Sequence, residues 1–97
     1  MLRAGASDDR NRGVRLSMVR VLLFAQAAAL AGTGVCEWPI VEPQGASVFW
    51  DWLLQRYPAV TQLRGVCRLA RNGAYLREWE AVEPGDELAV IPPVSGG

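Results

Sequence analysis

The spacing of apolar and polar residues changes several times along the chain, and each change predicts an element. Over residues 14–24 (VRLSMVRVLLF) aliphatic and β-branched side chains fill both parities. Val19, Val21 and Leu23 lie on one, and Met18, Arg20, Leu22 and Phe24 on the other. A strand largely apolar on both sides belongs inside a sheet. Residues 27–30 predict a short helical turn, which Gly32-Thr33-Gly34 ends. Residues 35–41 then alternate Cys36, Trp38 and Ile40 with Glu37 and Pro39. Proline brings no N–H to a ladder, so this strand is predicted at a sheet edge.

Pro43-Gln44-Gly45 stops the second strand, and Ser47 is the expected N-cap of a helix reaching about Tyr57, with Pro58 after it. At about 100° per residue Phe49, Trp50, Leu53, Leu54 and Tyr57 fall in one apolar stripe. Trp52 falls outside it and is expected to cover a loop, with a partner contact as the alternative. Residues 66–71 predict a third strand, Asn72-Gly73 a type I′ hairpin turn, and residues 74–79 its return. Glu83-Pro84-Gly85-Asp86 fits a type II turn. A last strand over residues 87–91 ends at Pro92-Pro93. The order strand, strand, helix, strand, strand, strand is an α+β fold whose helix covers one sheet face and leaves the other open.

A chain of 97 residues makes one small domain. Residues 1–13 (MLRAGASDDRNRG) lack a hydrophobic period and read as a disordered extension, with Met18 as a possible true start. Residues 14–91 are the domain and residues 92–97 a flexible tail. Ten acidic residues balance ten basic ones, which argues against nucleic acid as a partner. All ten basic residues are arginine, and histidine is absent. Histidine acid–base chemistry, Schiff-base lysines and Ser-His-Asp or Cys-His arrangements are thereby excluded. Two cysteines, Cys36 and Cys67, are too few for a zinc site, so no metal is expected.

Arg20 and the run VLLFAQAAALAG imitate a secretory signal, with small-residue sites at Ala27-Ala28-Ala29. On that reading Cys36 and Cys67 form a disulfide in a secreted binding module. Gln26 interrupts the apolar run, Asp8 and Asp9 precede it, and cleavage would delete the best strand. A cytoplasmic chain with two buried free thiols, both in strands, is therefore the expectation, with no membrane partner.

The chain ends Pro92-Pro93-Val94-Ser95-Gly96-Gly97. Two prolines stiffen the exit from the last strand, and six extended residues reach roughly 20 Å at about 3.3 Å each. The final glycines carry no side chain, so the tail can thread a narrow channel and place the Gly97 carboxylate deep inside another protein.

GDELAVIPPVSGG at the end, MVRVLLFAQAAALAG at the start of the fold, and the segments RYP and RNGAYL between them resemble the small subunit of molybdopterin synthase. The resemblance runs from Met18 to Gly97, and PPVSGG is its most specific part. It implies a β-grasp fold of about four to five strands in a mixed sheet, ordered as in ubiquitin, with one main helix. It implies that Gly97 is adenylated by an ATP-dependent enzyme similar to ubiquitin-activating enzymes, then converted to a thiocarboxylate with sulfur from a persulfide donor. The tail, Pro92, Pro93, Val94, Ser95 and Gly96, would thread into the large synthase subunit within a heterotetramer. There cyclic pyranopterin monophosphate would become the molybdopterin dithiolene. No cofactor is bound stably on this reading, and the catalytic work falls chiefly to the large subunit.

The partner surface is expected on the open face, where Leu22 and Phe24 meet Ala89 and Ile91. Val90-Ile91 departs from the two aromatics that often precede the family's prolines. Related carriers for thiamine, cysteine or another sulfur pathway, or a protein modifier, share the same tail logic. A chain without lysine cannot build lysine-linked polymers on itself.

Overall fold

In the computed structural model, which describes residues 17–94, the doubly apolar run forms β1 (Met18–Leu23) and its two parities separate. Val19, Val21 and Leu23 are buried, Met18 and Leu22 half-buried, and Arg20 exposed. The expected residues 14–16 of this strand lie outside the described ones. Phe24 leaves the strand and becomes the cap of α1 (Ala25–Ala31). Ala25 makes the corner at a left-handed φ of 49°, and Gly32 ends the helix at φ 79°. This helix outruns the predicted turn at both ends, since nothing in AQAAALA breaks it.

β2 (Val35–Pro39) stops short of the expected residue 41, and α2 (Ala46–Arg56) starts earlier than expected. Ser47 is not the N-cap: Gly45 takes that place, with no side-chain bond. The cause is tertiary, because Gln44 and Val82 exchange backbone hydrogen bonds of 2.9 and 2.8 Å and fix the chain just ahead of Gly45. The stripe is confirmed: Phe49, Trp50 and Leu53 are buried, Leu54 and Tyr57 half-buried. A 3-10 helix over Pro58–Leu63 follows, unforeseen because Pro58 reads as a stop. Proline also suits a first helical position, and Val60 and Leu63, one 3-10 turn apart, are both buried.

β3 (Arg68–Arg71) is shorter than predicted. Val66 and Cys67 belong to the preceding turn, where both N–H groups donate to the Leu63 carbonyl, so Cys67 is not a strand residue. Asn72 and Gly73 both have positive φ, 51° and 89°, as a type I′ turn requires. β4 (Ala74–Tyr75) keeps only two of the expected strand residues. The chain turns away over residues 77–80, where Glu80 N–H donates to the Arg77 carbonyl and its carboxylate accepts the Arg77 N–H. Gly85 at φ 92° and an Asp86 N–H to Glu83 carbonyl bond of 3.0 Å make the predicted turn. β5 (Glu87–Ile91) has the predicted bounds.

The described strands form one mixed sheet in the order β2-β1-β5-β3-β4, with β1 and β5 parallel and the other pairs antiparallel. β2 is an edge, as Pro39 predicts. The core lies between the sheet and α2, centred on fully buried Phe49, whose ring meets Trp38 edge-on at 5.1 Å. Trp52 is half-buried, lies 6.2 Å from Trp38 of the edge strand, and lines a depression with Val41, Glu42 and Gln44 of the loop that follows it. The run that imitates a secretory signal is β1 and α1, and its Val21, Leu23 and Ala27 are core. Cys36 and Cys67 are both unbridged and half-buried.

Candidate functional site

Strand register decides which side chains share the sheet face that α2 leaves open. Val35, Leu22, Ala89, Ala70 and Tyr75 are successive cross-strand partners and make one row across all five strands. Toward the end of β5 the next row holds Ile91 and its partner Arg68. Phe24 joins it from β1, because its N–H donates to the Val90 carbonyl at 3.3 Å. In the opposite direction the row is Glu37, Arg20 and Glu87. The open face thus runs from charged to apolar along the strands, and the chain leaves β5 at the apolar end. Phe24, Val35 and Tyr75 are each about half exposed, at 47, 46 and 53%.

The structure therefore brings together all four residues expected to form a partner surface. Leu22 pairs with Ala89 directly, and Phe24 and Ile91 lie beside the root of the tail. Leu88 and Val90 point the other way and are fully buried. The pattern alone missed Val35, Ala70, Tyr75 and Arg68. Their alternation was visible, but which residues face one another depends on pairing, which period-2 spacing does not encode.

Pro92 differs from the expectation of a tail projecting from its first residue. It continues the inward parity of Leu88 and Val90 and is buried. Val94 is 91% exposed, so the projecting arm starts at Pro93. Ser95, Gly96 and Gly97 lie outside the described residues.

Among the described residues of the five strands, Arg68 is the charged side chain in the apolar half of this face. Its guanidinium lies over the Tyr75 ring, with Cζ 3.9 Å from the centroid. The remaining arginines near a ring are looser, at 5.5 to 5.9 Å.

The thiols lie away from this face. Burial pushes the Cys36 thiol up, against the lowering effect of Arg56 and a hydrogen bond with Tyr57, while Glu37 adds to the rise. Burial also raises Cys67. Among the described residues no three His, Cys, Asp or Glu side chains gather as metal ligands. Two depressions of about 560 Å³ each share Met18, Pro39 and Trp52 on the flank of β2. One sits at the start of β1, beside Ser17 and Ile40, and the other runs along β2 from Pro39 to Val35, beside Arg56 and Tyr57.

The ThiS family profile matches residues 21–97. The molybdopterin synthase sulfur carrier subunit of Arabidopsis thaliana is 38% identical over 81 residues, covering 81% of this chain and 82% of the relative. The human molybdopterin synthase sulfur carrier subunit is 37% identical over 89 residues, covering 87% of this chain and 99% of the relative. Among solved structures, SAMP1 of Haloferax volcanii superposes with a TM-score of 0.73 at 30% identity, over 82% of this chain and 99% of that one.

Proposed function

The chain belongs to the ThiS family, together with the molybdopterin synthase sulfur carrier subunits that it matches over most of its length, and we propose that it carries sulfur on Gly97 for molybdopterin synthesis. The observation that supports this reading is that β5 of a β-grasp sheet ends at the apolar end of the open face, where the sequence goes on as Pro92-Pro93-Val94-Ser95-Gly96-Gly97.

The chemistry follows from what a main-chain carboxylate can do. Carboxylate oxygen is a poor leaving group. Attack of the Gly97 carboxylate on the α-phosphorus of ATP, with pyrophosphate leaving, gives an acyl adenylate whose leaving group is AMP. The terminal sulfur of a protein persulfide then attacks the acyl carbon and expels AMP, forming an acyl disulfide. A second thiol cleaves that disulfide, is itself oxidised to a protein disulfide, and releases the thiocarboxylate. ATP and the persulfide belong to the activating enzymes, so this chain binds no cofactor stably.

The large synthase subunit is the proposed acceptor of the charged tail, and its side chains supply the acid–base groups that a chain without His or Lys lacks. Phe24, Leu22, Ala89 and Ile91 are the proposed docking residues. Pro93 and Val94 leave the sheet beside them, both exposed. Gly96 and Gly97 let channel walls approach the reacting carbonyl, where a Cβ would collide. Two unbridged thiols with raised pKa suit the reducing cytoplasm, which is the proposed compartment. No helix among the described residues is long and apolar enough to cross a membrane.

The test is single-turnover conversion of cyclic pyranopterin monophosphate by the large subunit and thiocarboxylated chain. Wild type is expected to form dithiolene product in proportion to the thiocarboxylate supplied. Gly96→Ala is expected to lose at least tenfold in rate with an unchanged melting temperature. Full transfer by Gly96→Ala, or none by wild type, would contradict the reading. One observation favours a second one: the similar H. volcanii protein is small archaeal modifier protein 1. A modifier would yield isopeptide-linked products with other proteins under the same activation, in place of the thiocarboxylate.

A further inference from the structure

Among the described strand residues around the root of the tail, Arg68 is the charged exception, and it has a specific geometry. Arg68 is exposed, shares its row with Ile91, and holds its Cζ over the Tyr75 ring, 3.9 Å from the centroid. A cation over a ring is attracted by it without using up its N–H donors. No carboxylate among the described residues pairs with it, whereas Arg64 and Arg71 both have acidic neighbours. A fork of donors held by a ring has lost much of the rotamer freedom that an arginine usually gives up on binding, so it is pre-organised for a planar bidentate acceptor.

We propose that Arg68 is the charged specificity contact of the docking face, receiving an aspartate or glutamate side chain of the large subunit at the rim surrounding the tail. The proposal rests on the open face being the docking surface. It adds the class of group that the partner presents there: a carboxylate bordering an apolar patch complementary to Phe24 and Ile91. At the rim the two charges approach through solvent, so their attraction steers docking and weakens as salt concentration rises. Arg68 acts in recognition and register, not in sulfur transfer.

The experiment is calorimetric binding of the full chain to the large subunit at several salt concentrations, for wild type, Arg68→Gln, Arg68→Lys, Arg68→Glu and Phe24→Ser. Arg68→Gln is expected to bind about tenfold or more weakly and to flatten the salt dependence. Arg68→Glu should bind more weakly still, and Arg68→Lys should recover only part of the loss, since lysine keeps the charge without the fork. Circular dichroism and melting temperature should not change, because the side chain is exposed. Wild-type affinity for Arg68→Gln and Arg68→Glu, with weakened Phe24→Ser, would overturn the role of Arg68 and leave the docking face standing. A loss in Arg68→Gln that is equal at every salt concentration would also overturn it. Unweakened binding by Phe24→Ser as well would overturn the docking face itself.

Discussion

Ala25 turns the chain from β1 into α1 at a φ of 49°, a conformation that costs an L-residue with a Cβ about 1–2 kcal/mol. Glycine there removes the strain at a cost of about 0.5–1 kcal/mol in unfolded-chain entropy. Ala25→Gly is therefore expected to be neutral to about 1 kcal/mol stabilising, and Ala25→Val destabilising by more than 1 kcal/mol, both read from denaturant midpoints. The corner holds Phe24 extended, at φ −111° and ψ 152°, while the Phe24 carbonyl accepts the N–H groups of Ala27 and Ala28. At the same scale, burial raises both thiols above their ordinary value of 9.0. Their neutral form is the one the fold prefers. Their contribution to stability is thus full below the unfolded thiol's pKa and is lost as pH rises through the higher folded value. Stability from these groups should be flat through neutral pH and fall only in alkali. Alkylation of the folded chain at pH 8 should be slower than that of a free thiol, and an equal rate would contradict the burial argument.

At the scale of elements, the edge and the long loop each have a visible device. The Leu23 N–H bonds the Gly34 carbonyl and the Ile40 N–H bonds the Ser17 carbonyl, so even-numbered residues of β2 bond to β1 and odd-numbered ones point outward. Outward there are Val35, whose N–H and carbonyl are both engaged by Thr33 Oγ1, and Pro39, which has no N–H. Only Glu37 keeps an outward backbone pair, so the edge resists strand addition. Thr33→Val with Pro39→Val should reopen it, with concentration-dependent self-association in sedimentation where wild type shows none.

The loop from Arg77 to Asp86 is held by Arg71, whose Nη1–H donates to the Ala81 carbonyl and whose guanidinium lies 4.0 Å from Glu80 and 3.9 Å from Asp86. Discounted for its partial exposure, this clamp is worth about 1–2 kcal/mol. Arg71→Met should lower stability by that amount, with faster amide exchange confined to the loop. The same comparison shows what spacing does and does not encode. β5 and the stripe of α2 follow from local period and from Pro92 and Gly45 at their borders. The early end of β4 and the unused cap at Ser47 follow from distant contacts, the Arg71 clamp and the Gln44–Val82 bridge, that no local pattern contains.

For the whole molecule, the apolar end of the open sheet face, the buried Pro92 and the projecting arm from Pro93 form one assembly: a rigid base that aims a narrow tail. The tail was legible in the sequence because its chemistry is in its composition, two prolines followed by two glycines near the terminus. The apolar end of the open face was half legible: parity placed Leu22, Phe24, Ala89 and Ile91 together, but Arg68 and Tyr75 entered only with the pairing of β3 with β5 and β4. The central claim is that Gly97 carries sulfur. Its most direct test is the intact mass of the full chain after incubation with the activating enzyme, ATP and a persulfide donor. The account predicts a gain equal to replacing one oxygen by sulfur, located in the C-terminal peptide and absent when Gly97 is deleted. An unchanged mass, under conditions where the same enzyme and donor load another carrier of the family, would contradict it.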